Sequence, residues 1–207
     1  MNPEEGERIV RFARAAVDGY LNGKSMNGLL KRASEEMSEF KQPLGVFVTI
    51  SSYPERELKG CIGYPEPFYP LNAALTLAAI AAATEDPRFI PLDMEDLKDV
   101  IFEVTILTPP QRIEYRDPED IVKQICIGRD GLIAEKGAYK GLLLPQIPVE
   151  WGWDAEEFLS QTCIKAGLPK KEWKKGEAIF YRFTGEIFAE EEPEGKVEKI
   201  TPELSHP

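Results

Sequence analysis

The chain of 207 residues is 43% hydrophobic and 29% charged, a globular composition that excludes a wholly disordered protein. Its net charge of −11 repels polyanions, and no group of basic residues is dense enough to offset this, which argues against nucleic-acid binding. The uncharged stretch 67–84 is interrupted by Pro70 and Asn72, which favours a buried helix over a membrane span.

The cysteines and the first residues bear on the cellular compartment. Cys61, Cys126 and Cys163 are widely spaced and have no histidine near them, so neither a disulfide framework nor a zinc site is indicated. The acidic start of the chain lacks the basic and apolar segments of a secretion signal. We therefore expect a cytoplasmic protein with reduced thiols.

The first half of the chain is predicted to combine helices with a β-hairpin. Asn2 before Pro3 is a typical N-cap, and apolar residues then recur at helical spacing until Asn22-Gly23 ends the helix. The segments predicted next are a helix over 28–40, two paired antiparallel strands over 45–50 and 58–64, a helix over 70–85, a short helix capped by Asp93 and a strand over 100–107.

The second half is punctuated by the turn signals Asp130-Gly131 and Lys136-Gly137. The segments predicted there are short strands over 126–129, 132–135 and 140–144, a helix from Asp154 to about Ala166, a long strand over 178–189 and an acidic tail that lies on the surface or docks loosely. Strands mostly occur in runs rather than in strict alternation with helices, which indicates an α+β fold with antiparallel sheets.

Four separated motifs, in this order, resemble those of the AMMECR family, which is named for the deletion syndrome of Alport syndrome, midface hypoplasia and elliptocytosis. They are Leu58-Lys59-Gly60-Cys61-Ile62-Gly63, Glu85-Asp86-Pro87-Arg88-Phe89, Gly141-Leu142-Leu143-Leu144-Pro145-Gln146, and Phe158-Leu159 leading to Thr162-Cys163. The resemblance spans nearly the whole chain. One departure is Lys59, where arginine is common in the family, which keeps the charge but loses the planar fork of a guanidinium.

The resemblance implies two unequal α+β subdomains, each with an antiparallel sheet flanked by helices, that face each other across a cleft. We expect residues 1–116 plus 151–207 to form the larger subdomain and residues 117–150 the smaller, mostly β subdomain. Family members are cytosolic or nuclear, and some are fused to a Memo-like domain or encoded beside radical enzymes. The family has no settled biochemical activity, so the resemblance leaves the reaction open.

Cys61 is the leading candidate for chemistry. It lies between Gly60 and Gly63 at the end of a predicted strand, where the absence of a Cβ lets a ligand or another backbone approach. A thiolate is a strong nucleophile, and the nearby cation Lys59 would favour it. The alternative is a small buried residue in the core. The tripeptide Cys-Ile-Gly recurs at Cys126, but three residues are too few to indicate an internal repeat.

Other polar residues join Cys61 in the expected site. Asp86 follows a long helix, and the negative C-terminal end of a helix dipole repels a carboxylate. Asp86 therefore needs a cationic partner, a ligand or a metal. A local pair with Arg88 is the alternative. Gln146 and Glu150 precede Trp151, and polar groups beside aromatic walls suit a small-molecule pocket. If Asp86 serves a ligand, Asp86→Asn should leave the melting temperature unchanged or raise it.

These residues predict a site in the cleft, with Cys61, Lys59 and Asp86 as catalytic groups and five ligand-binding positions: Gly60, Gly63, Arg88, Gln146 and Glu150. We expect a small-molecule enzyme or ligand-binding protein. The alternative is a non-catalytic adaptor that recognises a protein partner, and nucleic-acid binding ranks third. No phosphate-binding glycine motif occurs, so any cofactor stays unknown, and no metal site is assigned. The only histidine, His206, lies in the tail, so any base must be Asp, Glu, Lys or Tyr.

Overall fold

The computed structural model of the chain describes residues 1–200, and His206 lies outside them. The α-helices in this range are α1 (Pro3–Leu21), α2 (Met26–Glu36), α3 (Leu71–Thr84), α4 (Pro118–Lys123), α5 (Gln146–Trp151) and α6 (Ala155–Lys165). The strands are β1 (Gly45–Ser52), β2 (Leu58–Tyr64), β3 (Val100–Leu107), β4 (Gln111–Arg112), β5 (Asp130–Lys136), β6 (Tyr139–Leu143), β7 (Ile179–Glu190) and β8 (Val197–Ile200). The predicted α+β class with antiparallel pairing is confirmed.

The chain packs as two units. Among the described residues, the first comprises Met1–Leu107 and 186–200, and the second comprises Thr108–Gly185. Residues 151–185, which the sequence groups with the larger subdomain, pack in the second unit. The reason is that α6 presents Phe158, Leu159 and Cys163 to the same core as the apolar residues of β5.

The first unit is built on a sheet in the order β2-β1-β3. One face of this sheet carries Val46, Val48 and Ile50, which lie in the same core as the alanines of α3. The small alanine side chains let α3 approach β2 closely, and a Cβ placed on Gly60 would lie 1.9 Å from the carbonyl oxygen of Ala82. The predicted β1–β2 hairpin and the alanine-rich helix are thus both confirmed.

Helix α1 begins where its sequence predicts. The Asn2 side chain accepts a hydrogen bond from the Glu5 backbone N–H at 2.8 Å, and the Glu5 carboxylate accepts one from the Asn2 backbone N–H at 2.8 Å. This capping box satisfies two N–H groups at the start of the helix. The helix ends at Asn22, and Gly23 then takes a φ of 82°, a value that favours glycine.

The second unit contains the antiparallel hairpin β5–β6 and the first half of β7, which pairs with β5. Its core gathers around Phe158, Trp173 and Phe180. The strand predicted over 126–129 is wrong, because these residues form a turn. Here the Cys126 carbonyl accepts a hydrogen bond from the Asp130 backbone N–H at 2.9 Å, and the Asp130 carboxylate bonds back to the Cys126 N–H.

The acidic tail, as far as residue 200, packs more closely on the protein than its composition predicts. Residues Val197–Ile200 form β8, which pairs antiparallel with the end of β7. Val197 packs against the first core, and Lys199 forms an ion pair with Glu186 at 2.5 Å. A four-residue strand with two charged residues carries too weak an alternation to be seen in the sequence alone.

Candidate functional site

Cys61 lies on the face of the β2-β1-β3 sheet that is turned away from α3. Gly60 contacts α3 and Ile62 packs against the core, so alternation along the strand directs the Cys61 side chain to the opposite face. The residue is half-buried. It is therefore neither a core residue nor a freely exposed thiol.

The backbone of Cys61 is held on both of its polar groups. Asp86 Oδ2 accepts a hydrogen bond from the Cys61 N–H at 2.9 Å, and Arg88 Nη2 donates one to the Cys61 carbonyl at 3.2 Å. Because β2 lies at the end of the strand order, these groups point to the outer edge, where no strand of residues 1–200 pairs with them. Asp86 and Arg88 thus replace a neighbouring strand at this one residue.

Asp86 and Arg88 also form a two-point ion pair. Arg88 Nε donates to Asp86 Oδ1 at 2.9 Å and Nη2 donates to Oδ2 at 2.7 Å. The Asp86 side chain is 2% exposed, whereas that of Arg88 is 56% exposed. The Arg88 guanidinium holds the pKa of Asp86 well below its usual range, and the N–H groups of Cys61 and Arg88 act in the same direction. The acid after the long helix therefore has its cationic partner within the chain.

Thr49 is the cross-strand partner of Cys61. The two residues are paired in the β1–β2 register, and Thr49 Oγ1 lies 3.3 Å from Cys61 Sγ, within hydrogen-bonding distance. Because the Cys61 backbone groups point outward, the pair is of the non-hydrogen-bonded type, in which facing side chains lie closest. The Thr49 hydroxyl thus contacts the thiol and limits its rotation.

Glu103 continues this row on the third strand. It pairs with Thr49 in the β1–β3 register, so a thiol, a hydroxyl and a carboxyl lie side by side across three strands. Two strand spacings separate the Cα atoms of Cys61 and Glu103 by about 10 Å. Glu103 is half-buried, and burial raises the pKa of its carboxyl while the charge of Arg56 lowers it.

Glu103 is not among the site residues predicted from the sequence, although a signal for it exists. The segment 100–107 is apolar at nearly every position, and Glu103 is its one charged residue. Period-two alternation places Glu103 on the face opposite Phe102 and Val104, which are buried in the core. Its position beside Thr49 depends on strand order and register, which the sequence does not give.

Lys59 lies in a β-bulge, and the motif glycines Gly60 and Gly63 lie against closely packed neighbours. The β1–β2 register shifts between Ile50 and Ser51, so Lys59 is the extra residue of a β-bulge, where alternation does not fix the side-chain direction. Its Nζ lies 3.5 Å from Glu57 Oε2. A Cβ on Gly63 would lie 2.4 Å from the Phe47 ring, so Gly63, like Gly60, is required by packing within the unit.

Gln146 and Glu150 lie on α5 of the second unit, and both are exposed. The next residue, Trp151, is also exposed and stacks on Trp153 with ring centroids 6.0 Å apart. Trp153 packs against the second core, whereas Trp151 does not. The structure thus brings together Cys61, Asp86 and Arg88 in one unit and places Gln146 and Glu150 in the other.

The side chains and helices of residues 1–200 bear on metal binding and on membrane spans. Within this range, no three or more His, Cys, Asp or Glu side chains are grouped so that they could hold a metal ion. Both carboxylate oxygens of Asp86 are engaged by Arg88. None of the helices in the range combines the length and apolarity needed to cross a membrane.

Comparison with known proteins identifies the family. The model of the AMMECR1 family matches residues 10–188. This chain belongs to the AMMECR1 family. Among relatives, Protein MJ0810 of Methanocaldococcus jannaschii is 50% identical over 195 residues, which cover 94% of each chain. Protein TK0174 of Thermococcus kodakarensis is 50% identical over 199 residues, which cover 95% of each chain.

A solved structure of the same family confirms the fold. The crystal structure of the uncharacterized protein PH0010 from Pyrococcus horikoshii superposes with a TM-score of 0.76 and covers 98% of each chain at 47% identity. The resemblance that the four sequence motifs indicate is thus confirmed. The names of these three relatives state no activity, so the function of this AMMECR1-family protein has to be argued from its own geometry.

Proposed function

We propose that this AMMECR1-family protein binds and transforms a small molecule on the sheet face that carries Cys61, Thr49 and Glu103. The observation behind the proposal is the register of these residues, which aligns a nucleophile, a hydroxyl and a carboxyl on the face turned away from the core. In small-molecule sites a small number of placed polar groups fix the orientation of the ligand. The Asp86–Arg88 pair holds both backbone polar groups of Cys61.

In this proposal the two ends of the row act on different atoms of the ligand. The Cys61 thiolate attacks an electrophilic carbon, and the S–C bond forms as the leaving group departs with its bonding electrons. Glu103, whose pKa is raised by burial, gives a proton to the leaving group, and a carboxyl tuned upward in this way is suited to general acid catalysis. A ligand that lies across β1 contacts both groups.

The other predicted site residues have supporting roles in the proposal. Asp86 and Arg88 position Cys61, and the half-exposed Arg88 guanidinium offers positive charge beside it. Lys59 adds a second cation two residues from the thiol. For Gln146 and Glu150 a ligand-binding role stays a prediction from the sequence; both are exposed on α5 of the second unit.

The proposed setting is cytoplasmic and involves no nucleic acid. All three cysteines are unpaired, which supports a reducing compartment. The net charge of −11 opposes association with a polyanion. The ligand is therefore expected among small cytoplasmic metabolites.

A thermal-shift screen tests the proposal. The wild type is screened against metabolites, and each hit is repeated on Cys61→Ser and Glu103→Gln. Glu35→Gln, at an exposed position on α2, is the matched control. A ligand present at 100 times its Kd stabilises the folded state by about 2.7 kcal/mol. We expect the shift to persist in Glu35→Gln and to fall in both site variants. If no metabolite shifts the wild type, or if both site variants keep the shift, the adaptor alternative becomes the better one.

A further inference from the structure

The second unit repeats the arrangement that holds Cys61. Asp130 Oδ2 accepts a hydrogen bond from the Cys126 N–H at 2.9 Å. Arg129 Nε donates to Asp130 Oδ1 at 2.8 Å, and its Nη2 donates to Oδ2 at 2.9 Å. Each of the two Cys-Ile-Gly tripeptides therefore has a carboxylate on its cysteine N–H and an arginine fork on that carboxylate.

The side chains of the two arrangements are also buried to similar extents. The Asp130 side chain is 1% exposed and that of Arg129 is 51% exposed, close to the values of Asp86 and Arg88. Cys126 is half-buried, as Cys61 is. In both places a buried carboxylate fixes a half-exposed guanidinium beside a half-buried thiol.

A turn alone does not require this set of side chains. The Asp130 carboxylate would accept the Cys126 N–H without any arginine, and neither core needs a half-buried thiol at this position. A surface arginine normally loses side-chain rotamer entropy when it binds a ligand. Because Asp130 already holds the fork of Arg129, the guanidinium is preorganised for an oxyanion that approaches its exposed side.

The charge of the arginine also reaches the thiol. The pKa of Arg129 is raised mainly by its hydrogen bond to Asp130 and to a smaller extent by the charge of Cys126, as the pKa of Arg88 is raised by Asp86 and Cys61. Asp130 Oδ2 accepts hydrogen bonds from both the Cys126 N–H and Arg129 Nη2, each at 2.9 Å, so an anionic ligand held by Arg129 would lie beside Cys126.

We propose that Cys126, Arg129 and Asp130 form a second small-ligand site, which takes a molecule with a carboxylate or similar oxyanion beside the Cys126 thiol. Arg129 binds the anionic group, Asp130 positions Arg129, and Cys126 contacts the rest of the molecule. This site uses none of the residues of the Cys61 site, so the two proposals stand or fall separately.

Alkylation with a charged and a neutral reagent tests the second site. Iodoacetate and iodoacetamide both form an S–C bond while the C–I bond breaks and iodide leaves, but only iodoacetate carries a carboxylate. The rates at each cysteine are measured by mass spectrometry in the native protein and in the urea-unfolded protein, which gives the intrinsic ratio of the two rates. The net charge of −11 repels iodoacetate overall, so a preference for it must be local.

We expect the iodoacetate-to-iodoacetamide rate ratio at Cys126 to exceed its unfolded value by about tenfold, the lower end of the range for electrostatic focusing. Arg129→Gln should abolish this preference. Arg112→Gln, which removes another exposed arginine of the same unit, should keep it. In the unmutated protein, inorganic phosphate at constant ionic strength should slow iodoacetate at Cys126 but not iodoacetamide, which provides a test that does not depend on the folding of a variant.

The proposal is overturned if the native ratio at Cys126 equals the unfolded ratio, or if phosphate has no effect. Asp130 and Arg129 would then only brace the turn. Cys61 is measured in the same digests and reports on the first site independently. The buried Cys163 provides the rate of an inaccessible thiol.

Discussion

The Asp86 carboxylate is almost fully buried and accepts hydrogen bonds from the side chain and backbone of Arg88 and from the backbone of Cys61. Asp86→Asn leaves the Arg88 guanidinium without its counter-charge and places an amide N–H against other donors. We expect a loss of about 3 kcal/mol in the free energy of unfolding, measured by urea denaturation. This is the opposite of the unchanged or raised melting temperature that the sequence predicts for a ligand-binding acid.

Asp117→Asn provides the control for this prediction, because Asp117 is exposed and its side chain makes no capping hydrogen bond. It should change stability by less than about 0.5 kcal/mol. An equal melting temperature for wild type and Asp86→Asn would show that the ion pair contributes nothing to the fold.

The burial of Glu103 predicts how the stability of the protein depends on pH. Burial raises the pKa of its carboxyl in the folded state above the ordinary value of 4.5, so the folded protein binds the proton more tightly than the unfolded chain. Stability is therefore lost as pH rises through the folded-state pKa, and it is unaffected by Glu103 below the unfolded-state pKa. Glu103→Gln should raise the melting temperature at pH 7, and the gain should shrink as the pH falls toward about 4.

Melting curves of wild type and Glu103→Gln over this pH range provide the measurement. The same curves for Glu35→Gln correct for the loss of a surface charge. A lower melting temperature for Glu103→Gln at pH 7 would mean that the charged carboxylate is stabilised by its surroundings, and the proposed acid role would lose its physical basis.

At the scale of elements, the contact between α3 and β2 depends on Gly60. An added Cβ would lie 1.9 Å from the Ala82 carbonyl oxygen, which is backbone and cannot rotate away. Gly60→Ala should therefore push α3 off β2 and cost about 1–3 kcal/mol of unfolding free energy. Gly28→Ala, in the first turn of α2, should be the milder change, because the added Cβ would lie 3.2 Å from only the Ser25 side chain and alanine loses less backbone entropy in a helix than glycine does.

Urea denaturation of both alanine variants checks this pair. If Gly60→Ala is as stable as wild type, the motif glycine is not required by packing, and close approach of a ligand becomes the better reason for it.

The elements that could be predicted are those with local signals. Asn2 and Asp154 both accept a backbone N–H three residues on, and so α1 and α6 begin where their caps predict. The turn at 126–129 could not be predicted, because a hydrogen bond from the Cys126 N–H to the Asp130 carboxylate decides it. The same limit applies to the site. The thiol of Cys61 is visible in the motif, whereas its position beside Thr49 and Glu103 follows from register.

At the scale of the whole molecule, a buried ion pair joins distant parts of the chain in the first unit. Arg14 of α1 donates to Glu190 of β7 at 2.8 Å and 2.5 Å and to the carbonyl of Val100 at 2.6 Å. Glu190 also accepts a hydrogen bond from the Phe102 N–H of β3 at 2.9 Å. These bonds explain how residues from both ends of the chain form one unit and keep β3, which carries Glu103, in place.

The three thiols of the molecule allow its central claim to be tested in one experiment. Cys61 is half-buried on the proposed site face, whereas Cys163 is fully buried, and desolvation raises the pKa of its thiol. The raised pKa leaves less reactive thiolate at Cys163, and burial slows access further. Native alkylation by neutral iodoacetamide, followed by mass-spectrometric mapping, should therefore modify Cys61 clearly faster than Cys163. If Cys61 reacts as slowly as Cys163, its thiol is a core group, and the proposed function built on it is contradicted.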